Sequence, residues 1–452
     1  MASSSKRPPV ELLDSVAKQL RHRVVPGQRL LLGLSGGLDS AVLLDLLWRL
    51  APHFPFSLFA LHVHHGLSSS ADAWRSFCEG LCLRSGIPLR VVTVHVPRRD
   101  GQGLEAAARE ARYRAFGEQD TDWVLLGHHR DDQAETVLLQ LFRGAGADGL
   151  AAMPAARELG LGLRLLRPLL EATRGQLEDY ARQRGLDWVE DESNLDTGLR
   201  RNFLRHRVLP LLEEGFPGCR KSLARSAGYW AEASGLLEEL AVLDARDAVA
   251  DGCLKLAIPE RLSLPRAKNL LRYFLRGHGV RARAAVLEEA LRQALRADAD
   301  AQVCIPLGNM ELRRYSGALW LVPRRREPDR LPARWPWSGE VRLALGPGLG
   351  VLEMRAGEGQ GISLARLTEA SVTVRRRAGG ECIRPDAQRP RRTLKNLLRE
   401  SGMPPWRRQR LPLLYSGETL VWVPGVGMEW DYRALPGEPS VAPAWLEPAN
   451  SS

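Results

Sequence analysis

Two polar clusters interrupt the apolar segments of the first half of the chain, and their residue types suit phosphate chemistry. The first, SGGLDS at residues 35–40, lies between the apolar runs RLLLGL and AVLLDLL. A glycine bend between a strand and a helix offers backbone N–H groups and a positive helix end, which favour an anion, most often phosphate. The two serines add hydroxyl donors, the two glycines let the backbone approach a ligand, and Asp39 can ligate a Mg²⁺ that bridges phosphates.

This glycine bend differs from the two common nucleotide-binding patterns. It lacks the Lys-Ser/Thr pair of the mononucleotide P-loop, and it does not match the dinucleotide pattern GxGxxG. A lysine in the loop suits transfer of a terminal phosphoryl group, whereas small residues closed by a serine can hold a pyrophosphate that leaves as one unit. The bend therefore favours pyrophosphate release.

The second cluster is GHHRDD, which opens the segment GHHRDDQAETVLLQLFRG at residues 127–144. His128 and Asp132 are four residues apart, as are Asp131 and Glu135, so two polar pairs stack on the first turn of a helix. Imidazole can contact a phosphate, and a carboxylate can bind Mg²⁺. The alternative is an acidic, well-capped helix start with surface histidines. For His62, His64 and His65 of HVHHG, a structural or loop role is favoured over a catalytic one.

The elements that position these clusters follow from the hydrophobic pattern. RLLLGLS, SLFALHV, LRVVTVHV and DWVLLGH indicate buried strands, and LDSAVLLDLLWRL, ADAWRSFCEGLCLRSG and GLEAAAREARYRAFGEQ have helical spacing. Their alternation predicts an α/β fold with a doubly wound parallel sheet. Ligands of such sheets bind at the carboxyl ends of the strands, where SGGLDS, HVHHG and GHHRDD all fall.

The remaining sequence predicts two more helices in the catalytic domain, followed by a middle domain, a linker and a C-terminal domain. In TRGQLEDYARQRG, Thr173 and Gln176 have capping-box spacing and Gly185 marks the end of a helix. A basic helix follows, with Leu204, Val208 and Leu211 on an apolar stripe and Arg201 and Arg205 together on another face. We predict a catalytic domain with this basic extension over residues 1–219, a mostly helical middle domain over 220–322, a Pro/Arg-rich linker over 323–340, and a small basic α/β domain over 341–452.

Composition and charge narrow the classes of protein. The 452 residues, 44% of them apolar, contain no secretion signal and no window of eighteen apolar residues, so we expect a cytoplasmic protein without a membrane span. Six cysteines without a CxxC pair argue against a zinc or iron–sulfur site, and we expect them to be buried. Residues 375–410 hold twelve Arg or Lys and three Asp or Glu, which indicates either a nucleic-acid partner or a solvated face.

Several longer stretches carry a resemblance to known proteins. SGGLDS is similar to the signature of the PP-loop ATP pyrophosphatases, and LHVHHGL, LEAAAREARYRAF, LGHHRDDQAETVLLQLFRGAG and SNLDTGLRRNFLRHRVLPLL resemble the tRNA(Ile)-lysidine synthetase family. The likeness is dense over residues 30–212 and returns in RRTLKNLLRESGMPPWRRQRLPLL and VWVPGVG. The section between them matches mainly by position and helical character.

The resemblance implies an ATP-dependent ligase that joins free L-lysine to C2 of the wobble cytidine in the isoleucine tRNA with a CAU anticodon. An adenylated tRNA is the intermediate, and AMP and pyrophosphate are released. The product, lysidine, changes codon reading from AUG to AUA and amino-acid identity from Met to Ile. This chemistry fits the residues, because the C2 oxygen of cytosine leaves poorly until it is adenylated. ATP and Mg²⁺ are the implied cofactors, and a homodimer stays open.

The resemblance also assigns roles to individual residues. Its catalytic residues are Asp39, His128, Asp132 and Arg112, and its ATP-binding residues are Ser35, Gly36, Gly37, Leu38, Asp39 and Ser40. Asp39 and Asp132 would hold Mg²⁺, and either Asp131 or Glu135 would receive the lysine ammonium. The tRNA-binding residues would be Asn194, Arg201, Asn202, Arg205, Lys395, Arg407 and Arg408. For Trp406, in the same basic window, packing in a small core is the favoured role.

Three other functions compete with this one. A PP-loop amide ligase that activates a small carboxylate explains SGGLDS but leaves the C-terminal charge without a role. A tRNA thiolase of the same superfamily is disfavoured by the missing CxxC pair. A non-enzymatic RNA-binding protein is disfavoured because both the glycine bend and the His/Asp helix are intact.

Overall fold

The computed structural model describes residues 9–96, 104–160, 162–250, 252–297, 303–324, 334–346 and 348–447. The chain divides into two compact units, Met1–Leu237 and Glu238–Ser452. No helix among the described residues is long and apolar enough to cross a bilayer.

The first unit is built on a six-stranded sheet. Its strands are β1 (Arg29–Gly33), β2 (Ser57–His64), β3 (Leu89–Thr93), β4 (Trp123–Leu125), β5 (Ala156–Gly160) and β6 (Leu163–Leu166). Their order is β3-β2-β1-β4-β6-β5, and every pairing is parallel except that of β5 with β6. The four predicted strands and the parallel α/β class are confirmed, whereas the β5–β6 hairpin is an addition that the apolar pattern did not indicate.

Among the described residues, ten α-helices belong wholly or partly to this unit. They are α1 (Pro9–Arg21), α2 (Leu38–Leu50), α3 (Ala71–Ser85), α4 (Leu104–Gly117), α5 (Arg130–Leu141), α6 (Ala147–Leu150), α7 (Arg174–Arg184), α8 (Arg200–Phe203), α9 (Leu209–Gly215) and α10 (Cys219–Ala248). Leu30 and Leu32 of β1 face the core that α1, α2, α3 and α7 share, and Leu31 faces the opposite core with Phe116 of α4. Alternate side chains of one strand therefore enter two cores, which explains its unbroken apolar sequence.

The predicted ends of α7 are confirmed. The Thr173 hydroxyl accepts a hydrogen bond from the Gln176 amide, and the Gln176 side chain accepts one from the Thr173 amide. Gly185 ends the helix with a φ of +62°, a left-handed conformation that favours glycine. Local sequence is sufficient here because both caps are made within a few residues of the helix.

The predicted basic helix is irregular. Residues 204–208 form a π-turn between α8 and α9. A π-turn shifts the residues that follow it around the helix axis, so Leu209 is buried while Leu211 is 68% exposed. The expectation that Leu211 continues the apolar stripe of Leu204 is therefore wrong, and Leu209 takes that place.

The second unit begins with a helical and a sheet layer. Its elements are β7 (Val249–Ala250), β8 (Cys253–Lys255), α11 (Leu264–Gly277), α12 (Ala284–Arg296), β9 (Cys304–Leu307), β10 (Met310–Tyr315) and β11 (Ala318–Pro323). The sheet order is β7-β8-β11-β10-β9. Leu270 and Leu271 of α11 and Leu291 of α12 pack on Leu312 and Leu319 of the sheet. The helices α11 and α12 agree with the helical character predicted for this part of the chain.

The rest of the second unit is mostly β-structure. Its strands are β12 (Arg334–Pro336), β13 (Arg342–Ala344), β14 (Val351–Glu358), β15 (Ile362–Ser363), β16 (Val372–Arg376), β17 (Cys382–Ile383), β18 (Arg392–Thr393), β19 (Pro412–Ser416), β20 (Thr419–Val423), β21 (Gly427–Met428) and β22 (Pro439–Leu446). Its helices are α13 (Leu364–Thr368), α14 (Leu394–Glu400) and α15 (Pro405–Arg408). The sheets β12-β16-β19-β20-β21 and β13-β14-β22-β15 contribute to one core, in which Val374 of the first meets Leu352 of the second.

Two sequence-based expectations change in the second unit. The end of the predicted linker belongs to a sheet, because β12 pairs with β16 and Trp335 and Trp337 are buried. Residues 325–333 lie outside the described part of the chain. Cys78, Cys82 and Cys253 are buried as expected, but Cys304 and Cys382 are exposed. The four-domain division as a whole stays a prediction.

Candidate active site

The SGGLDS bend connects β1 to α2 at the carboxyl edge of the sheet. Gly36 has a φ of +86°, and a Cβ there would lie 3.0 Å from a methyl of Val189 and 3.1 Å from the sulfur of Cys78. Both the conformation and the close packing therefore favour glycine. Gly37 is the N-cap residue of α2, so the bend leads directly into the positive end of the helix.

The Ser40 hydroxyl holds the bend together from inside. It donates to the carbonyl of Gly37 at 3.0 Å and accepts from the amides of Ser35 and Gly36 at 3.2 and 3.1 Å. The side chain is 5% exposed, so the structure gives Ser40 a role in shaping the loop in place of the expected open hydroxyl. Ser35 is exposed, whereas the Leu38 side chain is buried, which leaves the backbone amide as the polar group of Leu38.

The turn from β4 to α5 lies against the start of α2. A Cβ on Gly127 would be only 2.8 Å from the carbonyl oxygen of Asp39, so a larger residue there would push the two segments apart. This close approach brings the SGGLDS and GHHRDD clusters together, as the sequence predicted. The two clusters form one site.

His129, which sequence reasoning passed over in favour of His128, is the histidine that faces Asp39. Its Nε2 lies 3.6 Å from Asp39 Oδ1 and 3.6 Å from Asp132 Oδ2, and the residue is 1% exposed. The Asp131 amide donates to Nδ1 at 3.2 Å, so in the neutral ring the proton is on Nε2 and points at the two carboxylates. His129 is the N-cap residue and Asp132 the N3 residue of a capping box, a spacing already present in the sequence.

Burial tunes the charge of the neighbouring groups. It raises the pKa of Asp39, whose Oδ1 is buried without a hydrogen-bond partner in the described part of the chain. It lowers the pKa of His128 to about 3, helped by Arg167 and Arg201, so that ring is neutral. Asp39 thus has a buried carboxyl oxygen without a hydrogen-bond partner among the described residues, and the His128 ring is neutral.

Behind these groups lies a buried cluster of two carboxylates and two guanidinium groups. Glu135 is fully buried; Arg201 Nε donates to its Oε2 at 2.7 Å and Arg205 Nε to its Oε1 at 2.6 Å. Both arginines also donate to Asp132 Oδ1 at 3.1 Å. Burial alone would raise the pKa of Asp132, but His129 and Arg201 outweigh it and lower the pKa to about 2. The arginine pair of the basic helix therefore faces the acidic first turns of α5.

The other residues predicted near this site are distributed as follows. Asn202 is buried, and its side-chain amide donates to the carbonyls of Ser193 and Asp196 at 2.8 and 3.0 Å, which holds the preceding loop. Asn194 is exposed. Arg112 is exposed on α4; together with burial, its charge lowers the pKa of His65 to about 4.

A cavity of about 430 Å³ opens beside the cluster. The carboxylates of its lining belong to Asp131, Glu135, Glu178 and Glu213, and the cations to Arg130, Arg174, Arg205, Arg220 and Lys221. Asp131 Oδ2 accepts a hydrogen bond from the Arg174 amide at 3.1 Å, and Asp131 Oδ1 lies 3.8 Å from Arg220 Nε. The Asp131 side chain is 15% exposed, against 1% for Glu135, so Asp131 is the more accessible of the two carboxylates.

The predicted C-terminal residues lie far along the chain, in the second unit. Lys395 is exposed on α14, and Arg407 forms an ion pair with Glu447. Arg408 donates to the Tyr315 hydroxyl at 2.7 Å and to the carbonyl of Met403 at 2.6 Å. Trp406 packs edge-on against Tyr315 and Trp320, with ring centroids 5.9 and 6.4 Å apart, which agrees with a packing role.

The chain matches three protein-family models in succession. A PP-loop domain covers residues 11–212, a TilS substrate binding domain covers 254–320, and a TilS substrate C-terminal domain covers 372–445. The matched PP-loop domain contains the bend, the His/Asp turn and the arginine pair. The other two matches lie in the second compact unit.

Curated relatives align over almost the whole chain. The tRNA(Ile)-lysidine synthase of Nitrosomonas europaea is 42% identical over 98% of this chain and 98% of its own, and that of Azoarcus sp. is 44% identical over 98% and 97%. Among solved structures, the U34-tRNA thiolase NcsA of Methanococcus maripaludis matches with a TM-score of 0.43 and 20% identity over 49% of this chain and 79% of that chain. On the sequence matches, this chain belongs to the tRNA(Ile)-lysidine synthase family.

Proposed function

We propose that this protein is an ATP-dependent ligase that attaches free L-lysine to C2 of the wobble cytidine in the isoleucine tRNA with a CAU anticodon. The observation that carries the proposal is the meeting of the SGGLDS bend with the His/Asp turn at Asp39, in a chain that matches lysidine synthases along its whole length. The modified anticodon then reads AUA in place of AUG, and the tRNA is charged with isoleucine in place of methionine. The reaction takes place in the cytoplasm.

The first step forms a bond between the cytosine and the α-phosphorus of ATP. The C2 oxygen of cytosine attacks the α-phosphorus, the bond from that phosphorus to the bridging oxygen breaks, and pyrophosphate leaves. The bend supports this role, since the Leu38 and Asp39 amides at the start of α2 have no acceptor within the helix, and Ser35 is an exposed residue of the bend. The pyrophosphate charge is thereby stabilised as it develops.

Asp39 and Asp132 fit a bound Mg²⁺. Asp39 Oδ1 is a buried oxygen that has no hydrogen-bond partner in the described residues. Asp39 Oδ1 and Asp132 Oδ2 each lie 3.6 Å from His129 Nε2, so the two carboxylates face the same ring nitrogen. Within that part of the chain no group of three or more His, Cys, Asp or Glu is arranged around a metal, but Mg²⁺ needs only one or two carboxylates when phosphate oxygens and water complete its shell. The ion would neutralise phosphate charge during pyrophosphate release.

The second step joins lysine to the activated base. The lysine ε-amine, after losing one proton, attacks C2, the C2–O bond breaks, and AMP leaves with its electron pair. Asp131 and Glu135 both line the 430 Å³ cavity, and we assign the lysine ammonium to Asp131 because both oxygens of Glu135 already accept from arginines. In this assignment Glu135 positions the arginine pair. The catalytic roles of His128 and Arg112 remain proposals on the resemblance alone.

The tRNA would contact both units of the chain. Asn194, exposed beside the active site, and Lys395, exposed on α14, are the predicted contacts that are open to solvent. Arg201, Arg205 and Asn202 act in this proposal by holding the site together, since each is already hydrogen-bonded. The homodimer remains a prediction.

The decisive experiment is mass analysis of the anticodon nucleosides after reaction with ATP, lysine and the isoleucine tRNA. We expect the wobble cytidine to gain the mass of lysine less one water, and the gain to vanish when any one substrate is omitted. A tRNA with a uridine at the wobble position is the matched control. Release of AMP at the same rate without RNA would contradict this function and favour the amide ligase.

A further inference from the structure

A second cavity, about 400 Å³ in volume, lies next to the first and shares Arg130 and Lys221 with it. Residues of α1, α5, α10 and the segments after α6 and β6 line it. Its basic side chains are Arg130, Arg167, Lys221 and Arg225, and Glu171 is the one acidic residue among the described residues that line it. It contains none of the ATP, metal or lysine residues assigned above, so it needs a separate explanation.

Arg167 contributes a buried positive charge to this cavity. It follows β6 directly and is 2% exposed, and its Nη1 donates to the carbonyl of Pro154 at 2.7 Å. Its Nε is buried without a hydrogen-bond partner in the described part of the chain. Burial lowers its pKa to about 10, so the guanidinium keeps its charge at neutral pH. A buried donor without an acceptor is costly, and an anion bound nearby would reduce that cost.

Two exposed cations on α10 border the same cavity. Lys221 and Arg225 are four residues apart, on one face of the helix, and neither forms an ion pair with another described residue. Between them and beyond, small residues line the cavity wall, namely Ala224, Ala227, Gly228 and Ala231. Small side chains let a ligand approach the helix backbone closely. Lys221, Arg225 and the small residues of α10 together therefore form a shallow basic binding site.

We propose that this cavity binds a backbone phosphate of the tRNA substrate, contacted by Lys221 and Arg225 and attracted by the buried charge of Arg167. The inference rests on the proposed function and adds a contact on the first unit, beside the active site. RNA is favoured over free phosphate because Tyr229, 62% exposed, extends the row of Lys221 and Arg225 by another four residues. Exposed aromatic rings beside cations suit a strand whose phosphates pair with charge and whose bases stack.

Charge reversal on α10 tests the phosphate contact. For Arg225→Glu we expect the tRNA dissociation constant to rise about tenfold and the slope of its logarithm against the logarithm of salt concentration to fall by about 0.7 to 0.9. Arg84→Glu, on the exposed face of α3, is the matched control and should bind tRNA as the wild type does. Equal effects of the two variants would overturn the proposal, because they would reflect net charge alone.

A neutral variant tests the cavity itself. A Cβ on Gly228 would meet no atom within 4 Å, so Gly228→Leu can fill the wall without disturbing the helix. We expect the same loss of salt dependence as in Arg225→Glu, because the phosphate is excluded. Unchanged tRNA binding by Gly228→Leu would contradict a phosphate-binding site in this cavity. Lysidine formation by the wild type is measured in parallel; its absence would refute the proposed function, whereas its presence with unaltered variants would refute only this contact.

Discussion

Two arginine-rich regions, each predicted from sequence to grip tRNA, differ in what their charges face. Arg201 and Arg205 are about a quarter exposed, at 24% and 23%, and both bind Glu135 and Asp132. Lys395 and Arg399 on α14 are exposed and form no ion pair with other described residues. An excess of arginine in a sequence therefore does not show which arginines are available to a polyanion.

The physical reason for the difference is the buried acid. Glu135 lies on the inner face of α5, and a carboxylate removed from water is stable only when countercharges and hydrogen bonds replace its hydration. Arg201 and Arg205, four residues apart, supply both. In the C-terminal window Arg384 and Arg391 likewise pair with the buried Glu429. Lys395 and Arg399 have no ion-pair partner among the described residues, so their charge extends into solvent, where it attracts RNA over a long range.

The largest expected effect separates the two regions by the step that each controls. Asp39→Asn should reduce turnover on the order of 1000-fold, because the unsatisfied oxygen at the phosphate site loses its charge. The tRNA dissociation constant should stay within about twofold of the wild type, as contacts to RNA lie elsewhere. Single-turnover kinetics and filter binding measure both quantities. Asp14→Asn, at an exposed position of α1, is the control. Undiminished turnover of Asp39→Asn would remove that residue from the site.

Stability should respond next most strongly. Arg205→Met leaves the buried Glu135 with one guanidinium in place of two, and we expect a loss of about 3 kcal/mol in the free energy of unfolding. Lys395→Met, at an exposed position without an ion pair, should change that free energy by less than about 0.5 kcal/mol. Urea denaturation followed by circular dichroism compares the two. Equal stability losses would mean that the two regions do not differ in the way described.

For tRNA binding, unlike stability, substitutions on α14 should have the larger effect. Reversing both charges on α14, Lys395→Glu with Arg399→Glu, should weaken tRNA binding about tenfold and flatten its salt dependence. Arg408 is a poorer probe, since its hydrogen bonds to Tyr315 and Met403 tie it to the fold. Should the salt dependence of the double variant equal that of the wild type, the α14 cations are surface charge without a role in RNA binding.

The smallest effect concerns pH and the first of the two regions, because residues 375–410 contain no histidine. The pKa of His128 is about 3 in the folded protein and about 6.5 when unfolded, so the unfolded chain binds more protons between these values. Stability therefore falls as pH falls through that window. His128→Gln should remove about 1 kcal/mol of the loss between pH 8 and pH 5.5 in urea titrations. An unchanged pH profile would show that His128 is not held neutral.

Much of the first unit was predictable because its signals are local. The strands carry unbroken apolar runs, the helices between them have helical spacing, and Thr173 and Gly185 mark the ends of α7. The convergence of SGGLDS and GHHRDD on one edge followed from the parallel topology. The β-rich end of the chain was less predictable, since its strands are short, many have only two or three residues, and their pairing partners lie far apart.

Details of the site were not predictable from residue type and spacing. The sequence presents His128 and His129 as neighbours, but only packing decides that His129 faces Asp39 while the other ring is held neutral by burial. Packing of the bend also decides that the Ser40 hydroxyl points inward. A π-turn at residues 204–208 exchanges Leu211 for Leu209, and no apolar pattern marks it.

By itself the sequence determined the parallel α/β framework, the phosphate-binding bend and the family, because strand and helix patterns, glycine positions and contiguous motifs are properties of short segments. Only the tertiary structure determines which charged side chains form ion pairs with each other. Glu135 and Arg201 are 66 residues apart in the chain and 2.7 Å apart in the fold. Whether a charged side chain is buried and paired depends on how distant segments of the chain pack together. Burial and pairing in turn determine whether that charge stabilises the protein or remains free to bind RNA.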